Sequence, residues 1–581
     1  MESVFKLKPL MLVATSFVVI TQSFTAQVSL TNDFLNKSIS KKSVINSGRF
    51  SSVQLSSFQT IRNDSENLMY LDSIYSKCKG IDIREITITR LQQLFSTDQL
   101  SSQDLTACYT QRIHAMNPYL KAVIEVNPEA LSIAMKLDME RKLLNRSRSP
   151  LHGIPMLVKD NFATRDRMET TAGSMALLGV QPVRDSDAVA ILRKAGAIIM
   201  GKANLAEFSF FRGSNIPNGW SSRGGQVQNS YNLKFSPQGS SSGSAVSTAT
   251  NLAAVTLGTE TDGSLISPSS IASCVSMKST LGLISTRGVI PVSHTQDTVG
   301  PITRTVMDTA LVLDGMVPQN RKNAKECGGT YASCLLQNNF VPLKIGVPRE
   351  PFWVPEIVES PILKVETPIL NQLLDNIATD NSVNLMDPVE APWKNLRNIS
   401  DTEVLVVLHD FKHDINRYLR EETVQFQFPM IRTLKDIIQF NKDNPNPEGY
   451  NQDLLELSEA TDGLKNETYI KARDGNRAAT REYLDTLLIE QGLDAIAVPS
   501  EPRYDTNANP TLRHSPFVGW TVAAIAGYPS ITVPAGYDSY GVPFGICLIG
   551  KPYTEVSLLR IAKIIEAQFP ARKGPQFRNS V

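Results

Sequence analysis

Pro237-Gln238-Gly239-Ser240-Ser241-Ser242-Gly243-Ser244 and, further along, Gly258-Thr259-Glu260-Thr261-Asp262-Gly263-Ser264 form a dense serine cluster followed by a serine behind a glycine. A serine hydroxyl attacks poorly until a neighbouring base takes its proton, and histidine is the usual base. The chain's histidines, His114, His152, His294, His409, His413 and His514, all lie outside both segments. A lysine can serve instead when burial or a nearby positive charge lowers its pKa, so that neutral amine is available at about pH 7. Lys159 is placed for that role. It follows Leu151-His152-Gly153-Ile154-Pro155-Met156-Leu157-Val158, in which Ile154 to Val158 predicts a short, largely buried strand.

A second reading competes for the same serines. Gly239-Ser240-Ser241-Ser242-Gly243 fits the Gly-x-Ser-x-Gly nucleophile elbow of α/β-hydrolases, which would make Ser241 the nucleophile. That motif needs a buried strand directly before it, whereas the stretch from Asn229 to Gln238 is polar and broken by Pro237. Taken alone, a serine-rich loop is more often a flexible turn, and a lysine after an apolar strand is more often a solvated end.

The chain resembles the amidase signature family, and within it plant-type amidases. Enzymes of that family cleave amide bonds with a Ser-Ser-Lys triad in which one serine follows a cis peptide bond. The family's Gly-Gly-Ser-Ser-Gly-Gly-Ser core lines up with Gln238 to Ser244, and its bridging serine precedes the nucleophile by the spacing found here, 264 − 240 = 24. Thr170-Thr171-Ala172-Gly173-Ser174, Gly201-Lys202-Ala203-Asn204-Leu205-Ala206-Glu207-Phe208, Asp297-Thr298-Val299-Gly300-Pro301 and the run from Gly527 to Gly536 are similar to family segments in the family's order, so the resemblance extends from Asp82 to the last helix. It implies an α/β fold with one large mixed, mostly parallel central sheet wrapped by helices. It also implies Ser264 as nucleophile, Ser240 as proton bridge, Lys159 as base, and the backbone of Thr261, Asp262, Gly263 and Ser264 as the oxyanion and substrate-binding loop.

The implied reaction is hydrolysis of a small-molecule amide, of the non-peptide linear class, to a carboxylic acid and ammonia or an amine, with no metal or organic cofactor. Asp262, Gln238 and Ser242 stand where the common family version has glycines. Asp262 can take a left-handed backbone at some cost, and its carboxylate would oppose an oxyanion if turned inward. Two alternatives remain open at this point: a binding or receptor module on the same fold, and an amidotransferase subunit feeding ammonia to a partner that carries misacylated tRNA. The N-terminal leader and the lack of an evident tRNA-binding stretch weigh against the second.

Composition fits a folded enzyme. With 581 residues, 41% hydrophobic and 20% charged, the chain can bury a large core, and a net charge of +1 argues against nucleic acid as the main partner. Cys78, Cys108, Cys274, Cys327, Cys334 and Cys547 show no CxxC spacing, so buried free thiols are expected and metal binding is not. His409 and His413 lie four apart on a predicted helix without a visible third ligand, which reads as a solvated face. A homodimer is left open.

Lys6 and Lys8 precede an apolar run from Leu10 to Ile20 that is too short to span a bilayer comfortably and fits a signal-peptide core. Residues 1–26 are therefore expected to be a targeting segment, directing the chain to the secretory pathway or the exterior, with a plastid or other organelle as the alternative. Residues 27–80 are expected to be a polar, poorly ordered leader, and 81–575 the catalytic domain. On the secretory reading the sequons at Asn36, Asn63, Asn145, Asn398 and Asn466 become glycosylation sites.

Within the domain, helices are expected over Ser101 to His114 (opened by a Ser-x-x-Asp box), Asp187 to Lys194, Gly243 to Leu252, Pro368 to Ala378 (capped by Thr367), Glu403 to Arg417, Arg477 to Glu490 and Thr554 to Gln568. Strands are expected over 197–200, 253–257, 495–498, 530–533 and 544–549. The less legible stretch over 320–451 is expected to shape the acyl pocket, which Asp297 to Pro301 and Phe517 to Trp520 are expected to approach.

Overall fold

The computed structural model describes residues 63–580, apart from 319–322, 338–340, 359, 361, 398, 426–429 and 501–517. Its centre is an eleven-stranded sheet. In chain order the strands are β1 (Val123–Val126), β2 (Pro155–Lys159), β3 (Ile198–Ala203), β4 (Val255–Glu260), β5 (Val275–Lys278), β6 (Thr298–Thr303), β7 (Leu343–Gly346), β8 (Val383–Met386), β9 (Ala495–Pro499), β10 (Ser530–Tyr537) and β11 (Pro543–Gly550). They lie side by side as β8-β7-β9-β11-β10-β5-β6-β4-β2-β3-β1.

The expected large mixed sheet wrapped by helices is present, with its parallel character confined to two blocks. One is β8-β7-β9 and the other β4-β2-β3, while every other pairing is antiparallel. Connection length explains the division. The few residues between β10 and β11 allow only a hairpin, whereas β2 and β3 are joined by a crossover carrying helix Asp187–Ala195, as a parallel pair requires. All residues of β2, β3 and β4 are buried, as in strands covered on both faces, including the polar Thr256, Thr259 and Glu260 of β4.

The expected helix starts are largely where the side chains direct them. Ser101 caps helix α1 (Ser102–Leu120) in a reciprocal box with Asp104, and Ser186 caps Asp187–Ala195. Helix α2 (Ser242–Ala249) is built of small, wholly buried residues. A Cβ at Gly243 would sit 2.4 Å from the carbonyl oxygens of Ala122 and Asn204, so glycine lets this helix start press against the neighbouring chain. The serine segment is thereby fixed in the interior and is not a flexible turn.

Helix α1 runs on past His114 to Leu120, α2 stops at Ala249, short of Leu252, and three further helices also differ from expectation. The one expected from Pro368 begins at Leu363, with Pro368 inside it, because Leu363, Leu370, Leu373, Leu374 and Ile377 bury one face; Thr367 donates its hydroxyl back to Leu363 O (2.7 Å) instead of capping. Helix α3 (Ile399–Glu421) is longer at both ends than Glu403 to Arg417. Helix α4 (Glu467–Asp485) starts well before Arg477, at an Asn466 cap, and passes into a π turn over Thr486–Glu490.

The leader expectation is corrected for residues 63–80. Asn63 caps a helix over Asp64–Ile74, the strands Lys77–Cys78 and Ile81–Asp82 pair, and buried Arg112 holds Asp72. Cys78 is bonded to Cys108 and Cys327 to Cys334, which corrects the expectation of free thiols and leaves only Cys274 and Cys547 free, both buried. Linear spacing hid these pairs because the fold, not a CxxC motif, brings them together. The targeting expectation for 1–26 lies outside the described residues. No described helix is long and apolar enough to cross a membrane.

Candidate active site

Because β2 and β4 run parallel and in register, from Met156 opposite Val255 to Val158 opposite Leu257, their C-terminal ends open on the same edge of the sheet. Lys159 ends β2, and Ser264 follows β4 after the short loop Thr261-Asp262-Gly263. Open sheets place ligand clefts at such edges. Ser240 arrives from the side, just before α2, after a cis peptide bond between Gly239 and Ser240. Lys159 Nζ lies 2.8 Å from Ser240 Oγ, which lies 2.8 Å from Ser264 Oγ. The three side chains that the resemblance singled out thus form one continuous chain of hydrogen bonds.

The lysine is fully buried. Burial pushes its amine down to about 7, against the opposing influence of the Asp297 and Glu260 carboxylates. Two further contacts hold it, to Thr259 Oγ1 (3.0 Å) and Thr259 O (3.3 Å), and Asn161 Nδ2 donates to the same Thr259 hydroxyl (2.9 Å). Thr259 and Asn161 were not identified from sequence. The one usable signal was that Thr259 sits at the end of the strand parallel to that of Lys159.

The loop between β4 and Ser264 is held at both ends. Glu260 Oε2 accepts from the backbone N–H of Leu265 (2.7 Å) and Ile266 (3.1 Å), and Thr261 Oγ1 donates to Asp297 Oδ1 (2.6 Å). Among the described residues, the N–H groups of Asp262, Gly263 and Ser264 have no acceptor within the protein. The left-handed backbone that Asp262 could take at some cost is taken by Gly263, at φ +72°. Gln238, another residue in a family glycine position, does adopt it, at φ +52°. The Asp262 carboxylate accepts from Thr521 Oγ1 (3.0 Å), and burial raises it to about 7.

Above this loop lies a cavity of about 520 Å³, lined by Ser240, Ser264 and the 261–263 loop, by Phe210 and Phe211, by Glu403, Val404 and Val407 of α3, by Leu454 and by Trp520. The stretch expected to shape the pocket therefore contributes one wall. Of the two segments expected to approach it, Trp520 does so, whereas Asp297 stands behind the loop against Thr261; Phe517 lies outside the described residues. Ser241 is not a nucleophile candidate: its hydroxyl is buried and bonded to Thr259 O (3.0 Å).

The solvated-face expectation for His409 is corrected. It is buried, stacked on Tyr469 with ring centres 5.2 Å apart. His413 is exposed and shares Asp414 with His294, at 3.0 and 2.9 Å, a partner far away in sequence that a single-helix reading could not supply.

The chain belongs to the amidase family: the family profile described as Amidase matches residues 104–559. It is 37% identical over 510 residues to a probable amidase of Arabidopsis thaliana, covering 85% of this chain and 92% of that one. It is 34% identical to a putative amidase of Schizosaccharomyces pombe, covering 86% and 88%. Among solved structures it resembles the native peptide amidase of Stenotrophomonas maltophilia, with a TM-score of 0.74, 36% identity, and coverage of 85% and 99%. The amidase signature fold and membership of a family of amide-hydrolysing enzymes follow.

Proposed function

We propose that the protein hydrolyses carboxylic amides through an acyl-enzyme on Ser264. Neutral Lys159 accepts the proton of Ser240, Ser240 takes that of Ser264, and Ser264 Oγ bonds to the amide carbon as the carbonyl electrons move onto oxygen. The unpaired N–H groups of Asp262, Gly263 and Ser264 receive that oxyanion, and each such donor is commonly worth about 3 kcal/mol. The proton returns through Ser240 to the nitrogen, the C–N bond breaks, and ammonia or amine leaves. Water then repeats the sequence on the ester and releases the acid.

The observation that carries this reading is the Lys159–Ser240–Ser264 chain at 2.8 and 2.8 Å, ending in a buried amine. Free amidase action, rather than a place in an amidotransferase complex, is favoured by the higher identity to the Arabidopsis amidase than to a glutamyl-tRNA(Gln) amidotransferase component of Geobacter metallireducens, 37% against 30%. The peptide amidase likeness brings amides of peptides into the substrate range beside non-peptide linear amides. We place the protein in the secretory pathway or outside the cell, a reading supported by the bridges Cys78–Cys108 and Cys327–Cys334. Secretion of a tagged full-length chain, with loss of secretion on deleting residues 1–26, tests it.

Ammonia release from a series of primary amides, with fluorophosphonate labelling, tests the chemistry. Wild type is expected to be labelled on Ser264 and Ser264→Ala to be neither labelled nor active. Labelling elsewhere, or full activity of Ser264→Ala, overturns the assignment, and a wild type that neither turns over nor labels favours the binding module.

A further inference from the structure

Three carboxyl groups line the cavity without a part in the proton relay; Asp401 is exposed, and the other two face inward. Asp262 belongs to the nucleophile loop and Glu403 to α3, and both line the cavity that holds Ser264. Asp262 Oδ2 accepts from Thr521, while its Oδ1 is buried without a partner. Glu403 Oε1 accepts from Gln296 Nε2 (2.7 Å), and the same nitrogen donates to Thr261 O (3.2 Å), so Glu403 stands one amide away from the residue preceding Asp262. The lysine that acts electrostatically on Asp262, Lys278, has its ammonium held by the carbonyls of Ala523 and Tyr528.

A second observation points to a polar ligand here. Trp520 and Gln238, 1% and 3% exposed, line the same cavity with indole Nε1 and amide Nε2 lacking any acceptor. Much of the remaining wall is apolar: Phe210, Phe211, Val404, Val407 and Leu454. Carboxylates that face one desolvated cavity, with the charge of one raising the other, take up a proton or a cation, because desolvation and mutual repulsion otherwise go uncompensated. An ammonium group supplies three donors and a positive charge, which is what Asp262 and Glu403 lack.

We propose that the substrate carries an ammonium group within a few bonds of the scissile carbonyl, seated between Asp262 and Glu403, with an apolar side chain against Phe210, Phe211 and Leu454. This is the amide of an amino acid whose amine is unblocked. Asp262 and Ser264 line the same cavity of about 520 Å³, which keeps the ammonium and the scissile carbonyl within one small molecule, and the unpaired Trp520 and Gln238 donors are left for substrate oxygen. Burial raises both carboxyl groups, Glu403 further through the charge of Asp262; a bound ammonium relieves both. The proposal rests on Ser264 being the nucleophile, because it is Ser264 that fixes where the carbonyl lies.

The test uses full-length protein at pH 7, below the ordinary pKa of an α-amine. Ammonia release is measured from L-phenylalaninamide and from 3-phenylpropanamide, which lacks only the amine, and binding of 2-phenylethylammonium chloride is measured by calorimetry, which needs no turnover. L-Phenylalaninamide is expected to exceed 3-phenylpropanamide in kcat/KM by about tenfold or more, the scale of one charged hydrogen bond. In Glu403→Gln and Asp262→Asn, both isosteric and checked for an unchanged melting temperature, that ratio is expected to fall toward one and the binding of 2-phenylethylammonium to weaken in parallel. Equal kcat/KM for the two amides, or a preference untouched by both variants, overturns the proposal, as does a wild type that fails to bind 2-phenylethylammonium. Binding that depends on Glu403 in a protein that hydrolyses no amide supports the ammonium seat while counting against the hydrolase reading.

Discussion

Lys159→Met is expected to abolish hydrolysis and, at neutral pH, to make the protein more stable. The side chain is fully buried, and its amine falls from 10.5 to about 7 on folding. At about 1.4 kcal/mol per pH unit, keeping this amine near its midpoint at pH 7 while the unfolded chain holds it protonated costs the folded state roughly 4 kcal/mol. Methionine fills a similar volume without a titrating group. It forfeits the contacts to Ser240 and to the hydroxyl and carbonyl of Thr259, worth together about 2 kcal/mol because the hydroxyl partners retain other bonds. A net gain of about 2 kcal/mol remains at pH 7.

The sign with pH follows from the direction of the shift. Between about 7 and 10.5 the unfolded chain binds more protons at Lys159 than the folded one, so wild type gains stability as pH rises through that window. The methionine variant lacks this gain, so its advantage shrinks and is gone at about pH 9. Urea unfolding followed by tryptophan fluorescence at pH 7 and pH 9 measures it. A variant less stable than wild type at pH 7, or a difference that does not move with pH, refutes the picture of a lysine held neutral by burial.

For the wild-type enzyme, kcat/KM is expected to climb with pH through about 7 as Lys159 loses its proton, and a profile flat from about pH 5.5 to 8.5 would remove the lysine as base. Ser240→Ala, assayed by ammonia release, is expected to lower kcat by about 10² to 10⁴, the range for a positioned proton-transfer group. In Gly263→Ala a Cβ would fall 2.5 Å from Trp520 Nε1 at a backbone φ of +72°, so the loop must move. Its kcat is expected to drop by about 10² with little change in labelling specificity. Cys78→Ser opens a loop with a sequence separation of 30 and is expected to lower stability by about 3 kcal/mol in chemical unfolding, with non-reducing peptide mapping of wild type showing the Cys78–Cys108 pair.

The relay was legible because three short segments carry it in spacing and composition: Lys159 closes an apolar run, Ser240 sits among small residues that only a buried helix start accommodates, and Ser264 follows a strand. What surrounds the relay was less legible, since Thr259, Asn161 and Gln296 act by proximity created through strand pairing or loop packing, which leaves no local pattern. Glu403 is one acidic residue among many on an amphipathic helix until its neighbour across the cavity is known. Likewise the true start of the helix at Leu363 is set by five buried apolar side chains, a tertiary effect that outweighed the local signal of Thr367 and Pro368.

The wall of the cavity that comes from α3 packs in an apolar cluster of its own, around Phe208, Val407, Phe411, Ile415 and Leu434, apart from the main core that buries β2 and β4. Gln296 ties that wall to the nucleophile loop through Thr261 and Glu403. One wall of the cavity is therefore packed apart from the relay, while Asp262 keeps the rest of the seat in the nucleophile loop itself. Drift in α3 can reshape that wall while the relay stays intact, whereas a change at Asp262 touches both the substrate seat and the loop that carries Ser264.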